Sequence, residues 1–359
     1  MKNKIILLSS LVLFTAASAG CDSSKTVSSA EDPIPVSPQS ISFEWQGAFE
    51  NKLSEFTASE QFRAESSGGV GASMFDLRDL TGDGSPELII SPGTDHGTAC
   101  QIYAYENGAI TSLGETGDYG MFRFLPELNV VSDEYQGAGF TIGKYMAFQN
   151  GELTPVITYS DNTASAASGV TIVHEINGEE VSLPEFDEAL KQYRESPSSN
   201  IGRKYTFGEA AINYAVHCSE SWGAVLSPSE KELYRGILTE KLEEASSTES
   251  DAGFELCDLN SDEKPELIIS QGTYDGAACT IYYINGEELA QLGGAYGTDG
   301  RLGFDIGNNV FYTYGAGENT YYSVTDSNFS AENYSDSGSS MECGRKYLLT
   351  ADTITAALQ

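Results

Sequence analysis

Histidine and positive charge are what this sequence most lacks. Its 359 residues include three histidines, and 19 lysines and arginines face 53 aspartates and glutamates, a net charge of −34. A chain so anionic repels nucleic acid and anionic membrane surfaces, so neither is expected as a partner. Divalent cations are what its field would concentrate, although acidity also simply keeps an exported protein soluble. There is no GxSxG, no HExxH and no glycine-rich phosphate loop, and His96, His174 and His217 stand apart from one another. Without a nucleophile or acid-base pair to assemble, the expectation is a protein that is not an enzyme. The alternative is a secreted, calcium-stabilised hydrolase whose active site lies outside recognisable motifs. CxxC pairs are also missing, which argues against a zinc framework.

No apolar run reaches the roughly 20 residues needed to span a bilayer. The longest, Ile5 to Phe14, follows Lys2 and Lys4 and precedes small residues, the plan of an export signal over residues 1–20. Ser18-Ala19-Gly20-Cys21 resembles a bacterial lipobox, with Cys21 as the lipidated residue and serine where leucine is usual; an ordinary secretion signal is the alternative. Residues 21–43 are rich in Ser and Pro and read as a solvated tether. Contact with a membrane is thus expected only through lipid, on the outer face of a bacterial cell. Five further cysteines remain, Cys100, Cys218, Cys257, Cys279 and Cys343, and an odd number leaves at least one thiol unpaired. Cys257 and Cys279 would pair if they met across neighbouring strands, whereas Cys100 and Cys279 hold matching repeat positions that suit small buried groups.

What the chain does have is a duplication. "DLTGDGSPELIIS" (Asp79 to Ser91) returns as "DLNSDEKPELIIS" (Asp258 to Ser270) with nine of thirteen letters kept, and "SPGTDHGTACQIYAYENG" returns as "SQGTYDGAACTIYYING". The division expected is repeat unit 1 over 44–196, a polar linker over 197–202 and repeat unit 2 over 203–359, with "LPEFDEALKQ" matched to the C-terminal "ADTITAALQ". "FEWQGAFENKLSEF" and "SEKELYRGILTEKLEEA" carry apolar residues three or four apart and read as amphipathic helices, the second with Ser229 as its N-cap. "ELIIS", "CQIYAYENGAITSLG", "MAFQNGELTPVITY" and "GVTIVHEINGEEV" read as short strands joined by Asn-Gly turns. The fold class expected is α+β, mostly antiparallel β, in two homologous units of β-meander or propeller-blade-like hairpins with short flanking helices. Tyrosines 103, 105, 282, 283, 312, 314, 321 and 322 fall on those strands, as sheet packing or as a surface on which sugars stack.

The acidic loops carry the chemistry. Counting from Asp79, oxygen-bearing side chains fall at Asp79, Thr81, Asp83 and Glu87, and Ser85 offers its carbonyl. The second loop supplies Asp258, Asn260, Asp262, the carbonyl of Lys264, and Glu266. Alternate residues of a tight loop can offer the six to eight oxygens that calcium takes, and Gly84 permits the sharp turn. An EF-hand is excluded, because position 12 is Ile90 or Ile269 and the flanks are strand-like. The simpler reading is an Asp/Gly/Pro turn whose carboxylates accept backbone N–H bonds. These residues resemble the calcium loops of FG-GAP and VCBS repeats, D-x-[DN]-x-D-G-x-x-[DE] before an apolar strand, with Thr81 and Glu263 as departures. The resemblance covers about 45 residues of each unit, and it implies bound Ca2+ in an exported protein; the expected location and architecture point to an extracellular protein or glycan as partner.

Overall fold

The computed structural model describes residues 44–60, 62, 73–93, 99–118, 121–137, 139–149, 151–162, 173–217, 222–248, 252–260, 262–272, 277–296, 302–315, 318–325, 328–332 and 334–359. Residues 1–43, with the expected export signal, Cys21 and the expected tether, lie outside the described residues, as do His96 and Cys218. The fold is α+β with mostly antiparallel strands, and the described residues form sheets of ten, seven and five strands.

Helix α1 (Glu44–Thr57) buries Trp45, Phe49, Leu53 and Phe56, one stripe at the spacing read from sequence. Four strands then form a meander: β1 (Met74–Arg78), β2 (Glu87–Ser91), β3 (Cys100–Glu106) and β4 (Ala109–Thr116). The β3–β4 turn uses Asn107 and Gly108 at φ 52° and 83°, the left-handed pair a tight hairpin needs. The same meander recurs in β13 (Gly253–Cys257), β14 (Glu266–Ser270), β15 (Cys279–Asn285) and β16 (Glu288–Tyr296). Its register is identical: Met74 faces Ser91 and Arg78 faces Glu87, as Gly253 faces Ser270 and Cys257 faces Glu266.

A second set of strands follows the first meander. It comprises β5 (Met121–Leu125), β6 (Val130–Gly137), β7 (Phe140–Gln149), β8 (Glu152–Asn162), β9 (Val173–Ile176) and β10 (Glu179–Val181). Helix α2 (Leu183–Glu195) leads from it to β11 (Ser199–Asn200), which pairs with β5, and then to β12 (Tyr205–Thr206), which pairs with β1. The stretch 197–202, read as a linker, is therefore woven into sheet. In the later half, β17 (Leu302–Asp305), β18 (Val310–Gly315), β19 (Glu318–Thr325) and β20 (Asn328–Glu332) follow one another, β21 (Ser340–Glu342) pairs with β17, and β22 (Tyr347–Leu348) pairs with β13. Pairing of Tyr205 with Met341 joins strands of both halves into the ten-stranded sheet.

Helices α3 (Glu209–His217), α4 (Trp222–Val225), α5 (Pro228–Thr248) and α6 (Ala351–Ala357) complete the fold. The helix that corresponds to α6 in chain order is α3, since each follows the short strand that edges a meander. The match of "LPEFDEALKQ" to the C-terminus is thus corrected. The cap of α5 is also displaced from Ser229: Ser227 N–H donates to Glu230 Oε2 at 2.8 Å and Glu230 N–H to Ser227 Oγ at 3.3 Å, leaving Pro228 at the first helical position, where its missing N–H costs nothing.

The main core sets α1, α3 and α5 against Phe75, Leu88, Ile90, Phe254, Leu267 and Ile269. Ile89 points the other way, into a second cluster with Cys100, Ile102, Phe122 and Met146. β2 is buried on both faces, which is why "ELIIS" reads as an unbroken apolar run. Cys100, Cys257, Cys279 and Cys343 are free and buried. The pairing of Cys257 with Cys279 does not form, because β14 lies between their strands and they face its opposite ends, Glu266 and Ser270. His174 and His217 each face a carboxylate instead of standing alone, Asp161 at 3.2 Å and Glu50 at 2.7 Å.

Candidate functional site

Each acidic loop is the β1–β2 or β13–β14 connection, so its first and last acids sit at the ends of paired strands. In loop one, Leu80 N–H donates to Glu87 Oε2 at 2.6 Å, Gly84 N–H to Asp79 Oδ2 at 3.0 Å, and Ser85 N–H to Asp83 Oδ1 at 2.8 Å. In loop two the equivalent bonds run from Leu259 to Glu266 at 2.7 Å, Glu263 to Asp258 at 3.0 Å, and Lys264 to Asp262 at 2.8 Å. The two loops therefore share these three hydrogen bonds at their described residues. Gly84 takes φ 88° and Glu263 takes φ 67° at the same position, although a side chain there costs roughly 1–2 kcal/mol.

Position 3 differs. Thr81 N–H donates to Glu87 at 3.2 Å, and its hydroxyl lies 3.4 Å from the same carboxylate. Asn260 uses its amide to reach Asp262 at 3.3 Å and Glu266 at 3.0 Å. Burial differs too: Asp79 is exposed, whereas Asp258 is 5% exposed. Helix α5 supplies the cover, with Tyr234 Oη donating to the Pro265 carbonyl at 2.7 Å and Lys264 Nζ held by Glu230 at 2.8 Å. The Lys264 charge that sequence places beside the loop is thereby drawn to the helix. Neither Tyr234 nor Glu230 is visible as part of the loop in sequence; the S-P-x-E cap that precedes Tyr234 was the available clue.

Electrostatics single out the closing glutamates. Burial, with the charges of Asp79 and Asp83 adding to it, lifts the Glu87 carboxyl to about 7 against its own backbone hydrogen bonds. Glu266 is pushed up to about 8, by burial first and then by Asp258 and Asp262. Burial also raises Asp258. Buried carboxylates that repel their neighbours are what a hard cation would relieve, and the donors are all oxygen. Among the described residues, no three His, Cys, Asp or Glu side chains converge as a metal-holding group by themselves; backbone N–H groups occupy the loop carboxylates. The chain matches no family model, no curated protein and no solved structure.

Proposed function

We propose that this chain is an exported, lipid-anchored surface protein, a non-enzymatic scaffold or ligand module whose acidic loops take calcium. The observation that carries the calcium reading is the shared loop hydrogen bonding, kept at Glu263 where the backbone geometry favours glycine. Each loop also closes on a buried glutamate, Glu87 or Glu266, whose charge a bound cation would offset. Loop one would offer Asp79, Thr81, Asp83, the Ser85 carbonyl and Glu87, and loop two Asp258, Asn260, Asp262, the Lys264 carbonyl and Glu266. When bound, calcium supplies positive charge to these carboxylates and ties the end of one strand to the start of the next.

The duplicated meander supports a reading of the chain as two homologous sheet units carrying one such loop each. Export and anchoring rest on residues 1–21, and the partner expected is an extracellular protein or glycan. Thermal melting in calcium and in chelator tests the metal. At calcium one hundred times its Kd, linkage stabilises by about 2.7 kcal/mol, which raises Tm by several degrees. Asp83→Ala should remove most of the loop-one share and Asp262→Ala a smaller share. No shift at millimolar calcium would reject calcium binding.

A further inference from the structure

A polar concavity of about 320 Å3 lies on one face of the seven-stranded sheet, under the C-terminal end of α2. Two arginines line it in a chain with only 19 basic residues. Arg123 projects from β5 opposite Ser132, and Arg194 comes from the last turn of α2. The Arg194 guanidinium rests over the Phe186 ring at 5.2 Å and beside Asp187 at 3.3 Å. Among the described lining residues the only carboxylate is Glu134. It is committed within the wall: one oxygen accepts from Gln136 at 3.0 Å and the other takes a short hydrogen bond from the Tyr159 hydroxyl.

The wall itself is aromatic. Tyr145 stacks on Tyr193 with ring centroids 4.2 Å apart and on Tyr159 at 5.6 Å. Tyr159 lies flat across its cross-strand partner Gly143, where a Cβ would come within 2.3 Å of the ring. That glycine lets the tyrosine reach Glu134, which is Gly143's neighbour on β6.

At the corresponding place in the second half of the chain the described residues are arranged differently. Arg123 and Ser132 are paired across β5 and β6; Gly303 and Tyr312 are paired across β17 and β18, and the Tyr312 ring covers Gly303. Only residues 333–339 separate β20 from β21, whereas β10 and β11 are separated by α2 with Tyr193 and Arg194. One half has filled the space and the other has lined it.

We infer that this concavity is a binding site for a small hydroxylated carboxylate of monosaccharide size, an acidic sugar. The volume is at the small end of the roughly 300–1,000 Å3 of ligand pockets, room for one sugar ring. Guanidiniums match a carboxylate in a planar fork, tyrosines give an apolar wall for the ring, and the Ser132 and Thr141 hydroxyls meet hydroxyl groups. The inference deepens the ligand-module reading and rests on it, but it is independent of the calcium loops.

The test is calorimetric titration of the full exported chain with sodium glucuronate, glucose and inorganic phosphate. Glucuronate is expected to bind with glucose and phosphate at least roughly tenfold weaker, the usual worth of a charge-assisted contact in a shaped site. Arg123→Gln should cost a similar factor. The paired change Arg123→Gly with Ser132→Tyr, which copies a pair this protein already accommodates, should abolish binding while the melt and its calcium shift persist. Absence of glucuronate binding at millimolar concentration, equal binding of glucose or phosphate, or unchanged binding in either variant overturns the site. An intact calcium shift beside any of those results would leave the loop reading standing.

Discussion

Glu263 is the residue at which the repeats differ most in consequence. Its partner Gly84 enters the left-handed region freely, but Glu263 is held there at φ 67°. Glu263→Gly should relieve about 1–2 kcal/mol of backbone strain and lose about 0.4–1 kcal/mol to the freer unfolded chain. A net gain of about 0.5–1 kcal/mol is expected, read by denaturant titration in chelator; destabilisation would mean that the side chain contributes something its backbone geometry does not suggest. This contrast was legible in the sequence, because a D-x-x-x-D-G loop repeated with glutamate at the glycine marks one conformation reached from two residues. The burial of Asp258 was not legible, since Tyr234 reaches its loop from a helix 31 residues away.

Among the elements, α2 shows how a local sequence sets an end and the sheet sets a role. Ser182 N–H and Oγ both donate to Glu185, at 2.9 and 2.7 Å, and these bonds, the hydroxyl's first, hold the Glu185 carboxyl below the ordinary carboxylate range. A depressed folded-state pKa contributes stability that is complete above the unfolded carboxylate pKa and is lost as pH falls through the folded one. Glu185→Gln should therefore lower stability at pH 7 and by less at pH 2, measured as the difference in denaturant midpoints between variant and parent. An equal loss at both pH values would assign the effect to packing. The periodicity of "LPEFDEALKQY" was enough to place this helix. Its use of Phe186 and Leu190 to cover Tyr145, Ile157 and Tyr159 is a matter of which sheet face lay bare, and no local pattern encodes that.

For the molecule as a whole, a buried polar seam links the early and late halves. Gly202 N–H donates to Asp76 at 3.1 Å and Gly344 N–H to Glu255 at 2.9 Å, the same contact in each half. Two further contacts cross over: Arg78 donates to the Arg345 and Lys346 carbonyls, and Lys204 Nζ meets Glu255 at 2.7 Å with the side chains 6% and 2% exposed. Lys204→Met would leave Glu255 without its buried cation, a loss of about 3–5 kcal/mol. Adding Glu255→Gln should restore much of it, because the uncompensated charge is gone. Equilibrium unfolding of the single and double variants checks this; a single variant within about 0.5 kcal/mol of the parent would show the pair to be marginal.

The repeated tetrapeptide Gly202-Arg203-Lys204-Tyr205 and Gly344-Arg345-Lys346-Tyr347 lies at the heart of that seam. Local chemistry was enough to establish the acidic loops, the Asn-Gly hairpins and the amphipathic helices, since turn geometry and side-chain period act over a few residues. Which strand each edge segment joins was decided elsewhere. Residues 197–202 look like a linker because polar, turn-rich segments usually are, yet Ser199 and Asn200 pair with β5, and Tyr205 and Thr206 just beyond them join β1 and β21. Likewise Arg123, Tyr145 and Arg194 become neighbours only when α2 folds back over the sheet. Long-range pairing is a property of surfaces left unsatisfied by every other element, and those surfaces exist only once the chain has folded.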